Sequence, residues 1–120
     1  MSAVTIFHNP NCSTSKYAVS VADDLGVDYD VVKYLLKAER PSREQLVDLV
    51  AKLQDPTTDL VRRDANFTKL GLTDADVETP EQVIEILVQH PALLQRPIVV
   101  KGDAAIIGRP KNRVPAFLGA

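Results

Sequence analysis

The sequence predicts an α/β fold: a mixed sheet in the order β-α-β … β-β-α, interrupted by a helical insertion at about residues 41–91. Three features predict it. β-prone runs cluster at the two ends of the chain, an amphipathic helical stripe separates the first two, and the stretch between the second and third carries helix-start signals instead of strand signals. At 120 residues the chain is read as one domain spanning 1–120, insertion included.

Each element has its own justification. Val4 to Phe7 is a short β-prone run stopped by Asn9-Pro10. From Ser13 to Leu25, Tyr17, Ala18, Val21, Ala22 and Leu25 fall on one helical face, and Gly26 closes the helix. Tyr29 to Leu35, rich in β-branched and aromatic residues, completes a β-α-β unit whose strands should run parallel in one sheet. In the insertion, Ser42-Arg43-Glu44-Gln45 has capping-box spacing ahead of Leu46, Leu49, Val50 and Leu53. Thr79-Pro80-Glu81-Gln82 repeats the device before Ile84, Leu87 and Val88, with Pro80 suited to the first helical position. The block reads as entirely helical, broken near Gly71. Ile98-Val99-Val100 and Ala104 to Ile107 are joined by Lys101-Gly102-Asp103, a hairpin-length connection. A last helix is predicted to start at Pro110 and run through Val114, Phe117 and Leu118. Without the insertion, this is the element order of a thioredoxin-like domain.

Composition narrows the function classes. Apolar residues at 45% and charged residues at 25% exclude a disordered or collagen-like chain. A net charge of −2, from 14 basic and 16 acidic residues, argues against a dedicated nucleic-acid binder. The apolar runs are too short for a membrane span, and Met1-Ser2-Ala3-Val4-Thr5 lacks the basic region and long apolar core of a signal peptide. The single cysteine permits neither an internal disulfide nor a Cys-rich zinc site, and with two distant histidines no metal site is expected. A lone thiol fits a reducing compartment, so a cytoplasmic location is expected.

That cysteine is the first candidate for chemistry. Cys12 follows a strand and a proline-containing turn at the start of a helix, where backbone N–H groups and the helix dipole favour an anion. The same field favours thiolate over thiol. Ser13, Thr14 and Ser15 add hydroxyls beside three amides, so the turn is suited to a tetrahedral oxyanion next to the sulfur. The bland alternative is a buried, inert cysteine, and the polar neighbours favour the reactive reading. His8 lies four residues earlier; spacing leaves open whether it stabilises a thiolate or simply ends a strand. Arg96-Pro97 precedes the third strand, Arg109-Pro110 follows the fourth, and Arg62-Arg63 lies in the insertion. A guanidinium fork suits bidentate binding of an oxyanion, although each arginine taken singly is an ordinary surface residue. Pro97, entering a strand of such a sheet, is a candidate for a cis peptide. The acidic residues are scattered and read as solvated faces and caps, and His90-Pro91 marks a helix end.

Together, His8-Asn9-Pro10-Asn11-Cys12-Ser13-Thr14-Ser15, Arg96-Pro97-Ile98-Val99-Val100 and Gly108-Arg109-Pro110 resemble the motifs of the glutaredoxin-coupled arsenate reductases, the ArsC family. His90-Pro91 with Leu93-Leu94 strengthens the likeness, which covers nearly the whole chain. The resemblance implies a thioredoxin-like fold with a helical insertion. It implies that Cys12 is the catalytic cysteine and that His8 and Ser15 lower its pKa. It assigns oxyanion binding to Arg62, Arg96 and Arg109, with Arg63 as the one-residue alternative to Arg62. The implied reaction is reduction of arsenate to arsenite through a covalent Cys12 adduct, completed by an external thiol such as glutathione together with glutaredoxin or an equivalent redoxin. No bound cofactor is expected. Independently of any family, a chain with one cysteine cannot resolve that cysteine internally, so reducing equivalents must come from outside. Two other functions remain to be weighed: a monothiol oxidoreductase using Cys12, and an Spx-like RNA polymerase-binding regulator. Ser15 stands where the regulator's second cysteine would fall, so a disulfide switch is impossible here.

Overall fold

The computed structural model describes residues 4–119. Met1 to Ala3, part of the segment read for its lack of a signal peptide, and Ala120 lie outside them. In chain order the elements are β1 (Val4–Phe7), α1 (Ser13–Leu25), β2 (Tyr29–Val32), α2 (Arg43–Lys52), α3 (Ala65–Lys69), α4 (Pro80–Gln89), β3 (Ile98–Lys101), β4 (Ala104–Ile107) and α5 (Arg113–Gly119). The strands lie in the order β2-β1-β3-β4. β1 runs parallel to β2 and antiparallel to β3, and β3 and β4 form the hairpin. This is the predicted thioredoxin-like arrangement.

Strand alternation divides the core into two apolar layers. Val4 and Ile6 of β1, Val99 of β3 and Ile106 of β4 face Ala18, Val21 and Ala22 of α1 and Val114 and Leu118 of α5. Their neighbours in sequence, Phe7, Ile98, Ala105 and Ile107, face the other way, against Leu46 and Leu49 of α2 and Val83 and Leu87 of α4. The sheet is therefore covered on both sides, the usual setting for a parallel strand pair.

Three boundaries differ from the sequence-based expectation. β2 stops at Val32, because its partner β1 ends at the Phe7–Val32 pair and the His8 N–H closes the ladder on the Val32 carbonyl. Tyr34 and Leu35 thus leave the strand, and Tyr34 turns fully into the core. The insertion is not continuous helix. Its helices are joined by single 3₁₀ turns, among them Thr57–Leu60 and Asp74–Val77, and by two extended contacts: Leu53 bridges Ala105 and Val61 bridges Leu94. Both predicted capping boxes, Ser42 with Gln45 and Thr79 with Gln82, are formed. The last helix begins at Arg113 rather than Pro110, because the Arg113 N–H closes a turn on the Pro110 carbonyl at 3.0 Å.

The segment after α2 also seals the open edge of β4, a place where unpaired backbone groups invite association. The Gln54 N–H donates to the Ala105 carbonyl at 2.9 Å, and the Ile107 N–H donates to the Asp55 carboxylate at 2.9 Å. Asp55 also pairs with Arg113 at 2.9 Å, and Arg113 donates to the Ile107 carbonyl at 2.9 Å. Asp55→Ala leaves a strand N–H and a guanidinium without their acceptor. It should cost about 1–3 kcal/mol, read as a lower urea midpoint at unchanged slope.

Candidate active site

The loop between β1 and α1 is built around Asn9. Its Oδ1 accepts from the Asn11 N–H at 2.9 Å, its carbonyl accepts from the Cys12 N–H at 3.0 Å, and its own N–H donates to Ser15 Oγ at 3.3 Å. Asparagine stabilises such turns by bonding the backbone two residues on. Asn9 and Ser15 are the buried polar side chains of this region, and the effect is to seat half-buried Cys12 as the N-cap residue of α1.

Burial alone pushes the Cys12 thiol up. The Ser15 N–H, the Arg96 guanidinium, the Thr14 N–H and the Ser15 hydroxyl act against it and together bring the pKa down to about 7. The helix start and one arginine therefore outweigh desolvation. Arg109 adds to the cluster: its Nη2 lies 3.4 Å from Cys12 Sγ, and its Nε donates to the Arg96 carbonyl at 2.7 Å.

Arg96 and Arg109 reach the sulfur because the two loops that carry them are pressed together. The Gly108 N–H donates to the Pro97 carbonyl at 2.8 Å, and a Cβ at Gly108 would lie 2.7 Å from Pro97 Cγ. Only glycine allows that approach. The Arg96–Pro97 peptide, the one candidate considered, is cis, and so is Arg109–Pro110. Arg113, held by Asp55, fixes the second loop from behind by donating to the Arg109 carbonyl at 3.4 Å.

The other predicted residues divide. Thr14 acts through its amide, while Ser13 is exposed on the first turn of α1. His8 borders the loop, but the groups that act on the sulfur do not include it. Burial, then the charges of Lys33 and Lys16, hold its pKa below the usual 6.5 against the opposing effect of the Ser15 backbone acceptor. The imidazole is thus neutral at neutral pH, with a buried Nδ1 that has no partner within the protein.

The structure separates the adjacent arginines of the insertion. Arg63 is exposed and committed, donating to the Thr58 and Val61 carbonyls and to Thr58 Oγ1, pairing with Asp74 and lying over the Phe67 ring. Arg62 is half-buried, with one contact to Asp64 at 3.8 Å and an Nη1 that is buried without a partner. Its N–H donates to the Leu93 carbonyl at 2.8 Å, so it runs beside the segment that leads to Arg96. Among the described residues the buried side-chain nitrogens without partners are His8 Nδ1, Arg62 Nη1 and Arg96 Nε. Buried donors are normally satisfied, so the Arg96 and Arg62 N–H groups left over are suited to an oxyanion; Arg96 acts on the Cys12 sulfur, and Arg62 lies against Asp64 and the Leu93 carbonyl.

A model of the ArsC family matches residues 7–117. The chain belongs to the ArsC family. It is 36% identical over 115 residues to an arsenate reductase of Escherichia coli, covering 95% of this chain and 79% of the relative. It is 35% identical over 120 residues to an arsenate reductase of Neisseria meningitidis serogroup A, covering 98% and 100% respectively. An arsenate reductase structure from Vibrio cholerae superposes with a TM-score of 0.80 at 32% identity, over 92% of this chain and 93% of that one.

Sequence reading missed the Asp55–Arg113 support. Gly108 carried a usable signal, since a glycine flanking a strand next to Arg-Pro often marks close backbone approach. The electrostatics set an order for the variants. Alkylation of Cys12 should show a midpoint near pH 7, rising clearly in Arg96→Ala and less in His8→Ala. An equal rise in both would return His8 to the groups that stabilise the thiolate.

Proposed function

We propose that this member of the ArsC family is an arsenate reductase that uses Cys12 as nucleophile and an external thiol as reductant. The observation that carries the reading is a thiol with a pKa of about 7 lying against Arg96 and Arg109, with donors of Arg62 and Arg96 still uncommitted. The relatives named arsenate reductase support the substrate. Arsenate is an oxyanion carrying nearly two charges at neutral pH, and a thiolate would repel it. Fixed guanidinium groups offset that repulsion and stabilise the charge that builds up during attack.

The Cys12 thiolate attacks arsenic, an As–S bond forms, and one arsenate oxygen leaves as water after taking up protons. A second sulfur, from an external thiol of the glutathione type, then supplies the reducing electrons. In the overall balance two thiols and arsenate give a disulfide, arsenite and water. The chain holds one cysteine, so the disulfide must end on the external thiol or a glutaredoxin-like partner. A cavity of about 310 Å³ beside the loop, lined by His8, Asn9, Pro10, Asn11, Lys33, Leu35 and Leu36, offers such a thiol a route of approach. Ser15 holds the loop and the thiolate, and His8 borders the same cavity as a neutral group. These reductants place the reaction in a reducing compartment such as the cytoplasm. Among the described residues no helix is long and apolar enough to cross a membrane.

Purified protein supplied with glutathione and glutaredoxin should convert arsenate to arsenite, and Cys12→Ser should not. Absence of arsenite with this pair and with other low-molecular-weight thiols and their redoxins would overturn the reading in favour of a monothiol oxidoreductase. Arg62→Ala should lower kcat/KM for arsenate about 10- to 100-fold, the value of a charged hydrogen bond, whereas Arg63→Ala should lower stability and leave kcat/KM nearly unchanged. The reverse pattern would exchange the two assignments.

A further inference from the structure

The cavity of about 310 Å³ beside the Cys12 loop has a larger neighbour. This second cavity, of about 440 Å³, lies among the segment after β2, α3 and the end of α4, and Arg40, Asn66, Lys69 and Leu70 are part of its lining. Leu35 lines both, so the two meet at one side chain. Each is of the size usual for a small-molecule site. Their chemistry is also shared. Leu35, Leu36 and Leu70 are three of the five exposed large hydrophobic residues among the described residues, and all three line this pair of cavities. Lys33, Arg40 and Lys69 supply positive charge, and no carboxylate belongs to either lining. In a chain of net charge −2 with 16 acidic residues, such a stretch departs from the average surface. Arg43, Lys52, Arg62, Arg63 and Arg113 each pair with a carboxylate, whereas Lys33, Arg40 and Lys69 enter no ion pair among the described residues. Exposed apolar surface flanked by uncommitted cations suits a ligand with an apolar body and negative ends.

We propose that the two cavities form one binding groove for the reducing thiol, and that this thiol is a short anionic peptide with its sulfur beside the Cys12 loop, one carboxylate near Lys33 and another between Arg40 and Lys69. Glutathione has that form, with a carboxylate at each end and the thiol between them. The side-chain amides of Asn11 and Asn66 stand in the two linings for its peptide groups. A protein partner would cover a broad face of about 800 Å² per side, whereas concave sites of this volume take small molecules. The inference rests on Cys12 being the group that exchanges with an external thiol. Its test uses no arsenate, so failure of the arsenate assignment leaves it readable.

Cys12 is first converted to its mixed disulfide with thionitrobenzoate. An incoming thiolate attacks the Cys12 sulfur, a new disulfide forms and coloured thionitrobenzoate leaves, with no net oxidation or reduction. Arg40→Gln and Lys69→Gln together should slow release by glutathione about three- to tenfold, the size of two exposed ion pairs, and leave release by uncharged 2-mercaptoethanol unchanged. High salt should remove most of that difference. Lys52→Gln, which removes a positive charge elsewhere on the surface, should slow neither thiol. Equal slowing with both thiols, no slowing with glutathione, or the same slowing in Lys52→Gln would each overturn the proposal. S-methylglutathione, which cannot exchange, gives a readout that does not depend on the chemistry of Cys12. At millimolar concentration it should shift the amide NMR signals of Asn66, Lys69 and Leu70 in the unmutated protein and much less in the double variant. Signals that ignore S-methylglutathione but move with glutaredoxin would make the groove a protein-docking surface and overturn the proposal as well.

Discussion

A half-buried sulfur anion persists only while donors are aimed at it, since burial by itself favours the neutral thiol. In this protein the donors come from places far apart in sequence: the first turn of α1, Arg96 two residues before β3 and Arg109 two residues after β4. The helix start is local and forms as soon as the Asn9 turn does. The arginines are not local. Arg109 reaches Cys12 across a sequence separation of 97 residues, and only the completed sheet brings them together. The order β2-β1-β3-β4 sets β1 beside β3 and β3 beside β4, so the loops at one end of these three strands converge. The pairing of Phe7 with Ile98, and of Ile98 with Ile107, fixes that convergence to the residue.

Two guanidinium groups on one sulfur repel each other, and the surrounding contacts read as the means of keeping them there. Arg109 spends its Nε on the Arg96 carbonyl, which ties the two loops together through a neutral acceptor. Gly108 against Pro97 removes the slack between the loops, and Asp55 neutralises Arg113 behind them. The helical insertion contributes more than a cover for the sheet. Its Val61–Leu94 bridge lays Arg62 alongside the approach to Arg96, and its Asp55 seals the edge of β4. The fold's added block and the end of the sheet that carries Cys12 are therefore one mechanical unit.

Much of this was legible in the sequence because it rests on local rules. Strand alternation, the two capping boxes and the Gly26 helix stop depend on neighbouring residues, and all are formed. The end of β2 was not, because it is set by a partner distant in sequence, β1; α5 starts later than expected because the Arg113 N–H first closes a local turn on the Pro110 carbonyl. For the site, Cys12 stood out through its turn position, whereas Arg96 and Arg109 stood out only through the family motifs that contain them. Arg62 and Arg63 were indistinguishable in one dimension, and hydrogen-bond accounting separates them, since every strong donor of Arg63 is spent on backbone, Thr58 or Asp74. Tyr34, expected in a strand, instead closes the core as a fully buried ring.

The division of labour among the donors explains how one small site can stabilise a thiolate and still receive an anion. If every N–H near the sulfur were committed to it, an oxyanion would have to break those contacts to bind, and the nucleophile would lose its activation as the substrate arrived. Here the commitments are partial. Backbone amides, which cost nothing to orient, carry much of the sulfur's stabilisation, and the arginines share it while Arg96 Nε and Arg62 Nη1 stay uncommitted. A neutral His8 fits the same logic, because burial disfavours its charged form and Lys33 and Lys16 already supply positive charge beside it. The site is therefore best described as a thiol supported from the helix side and left electropositive on the arginine side, which suits the proposed approach of an oxyanion.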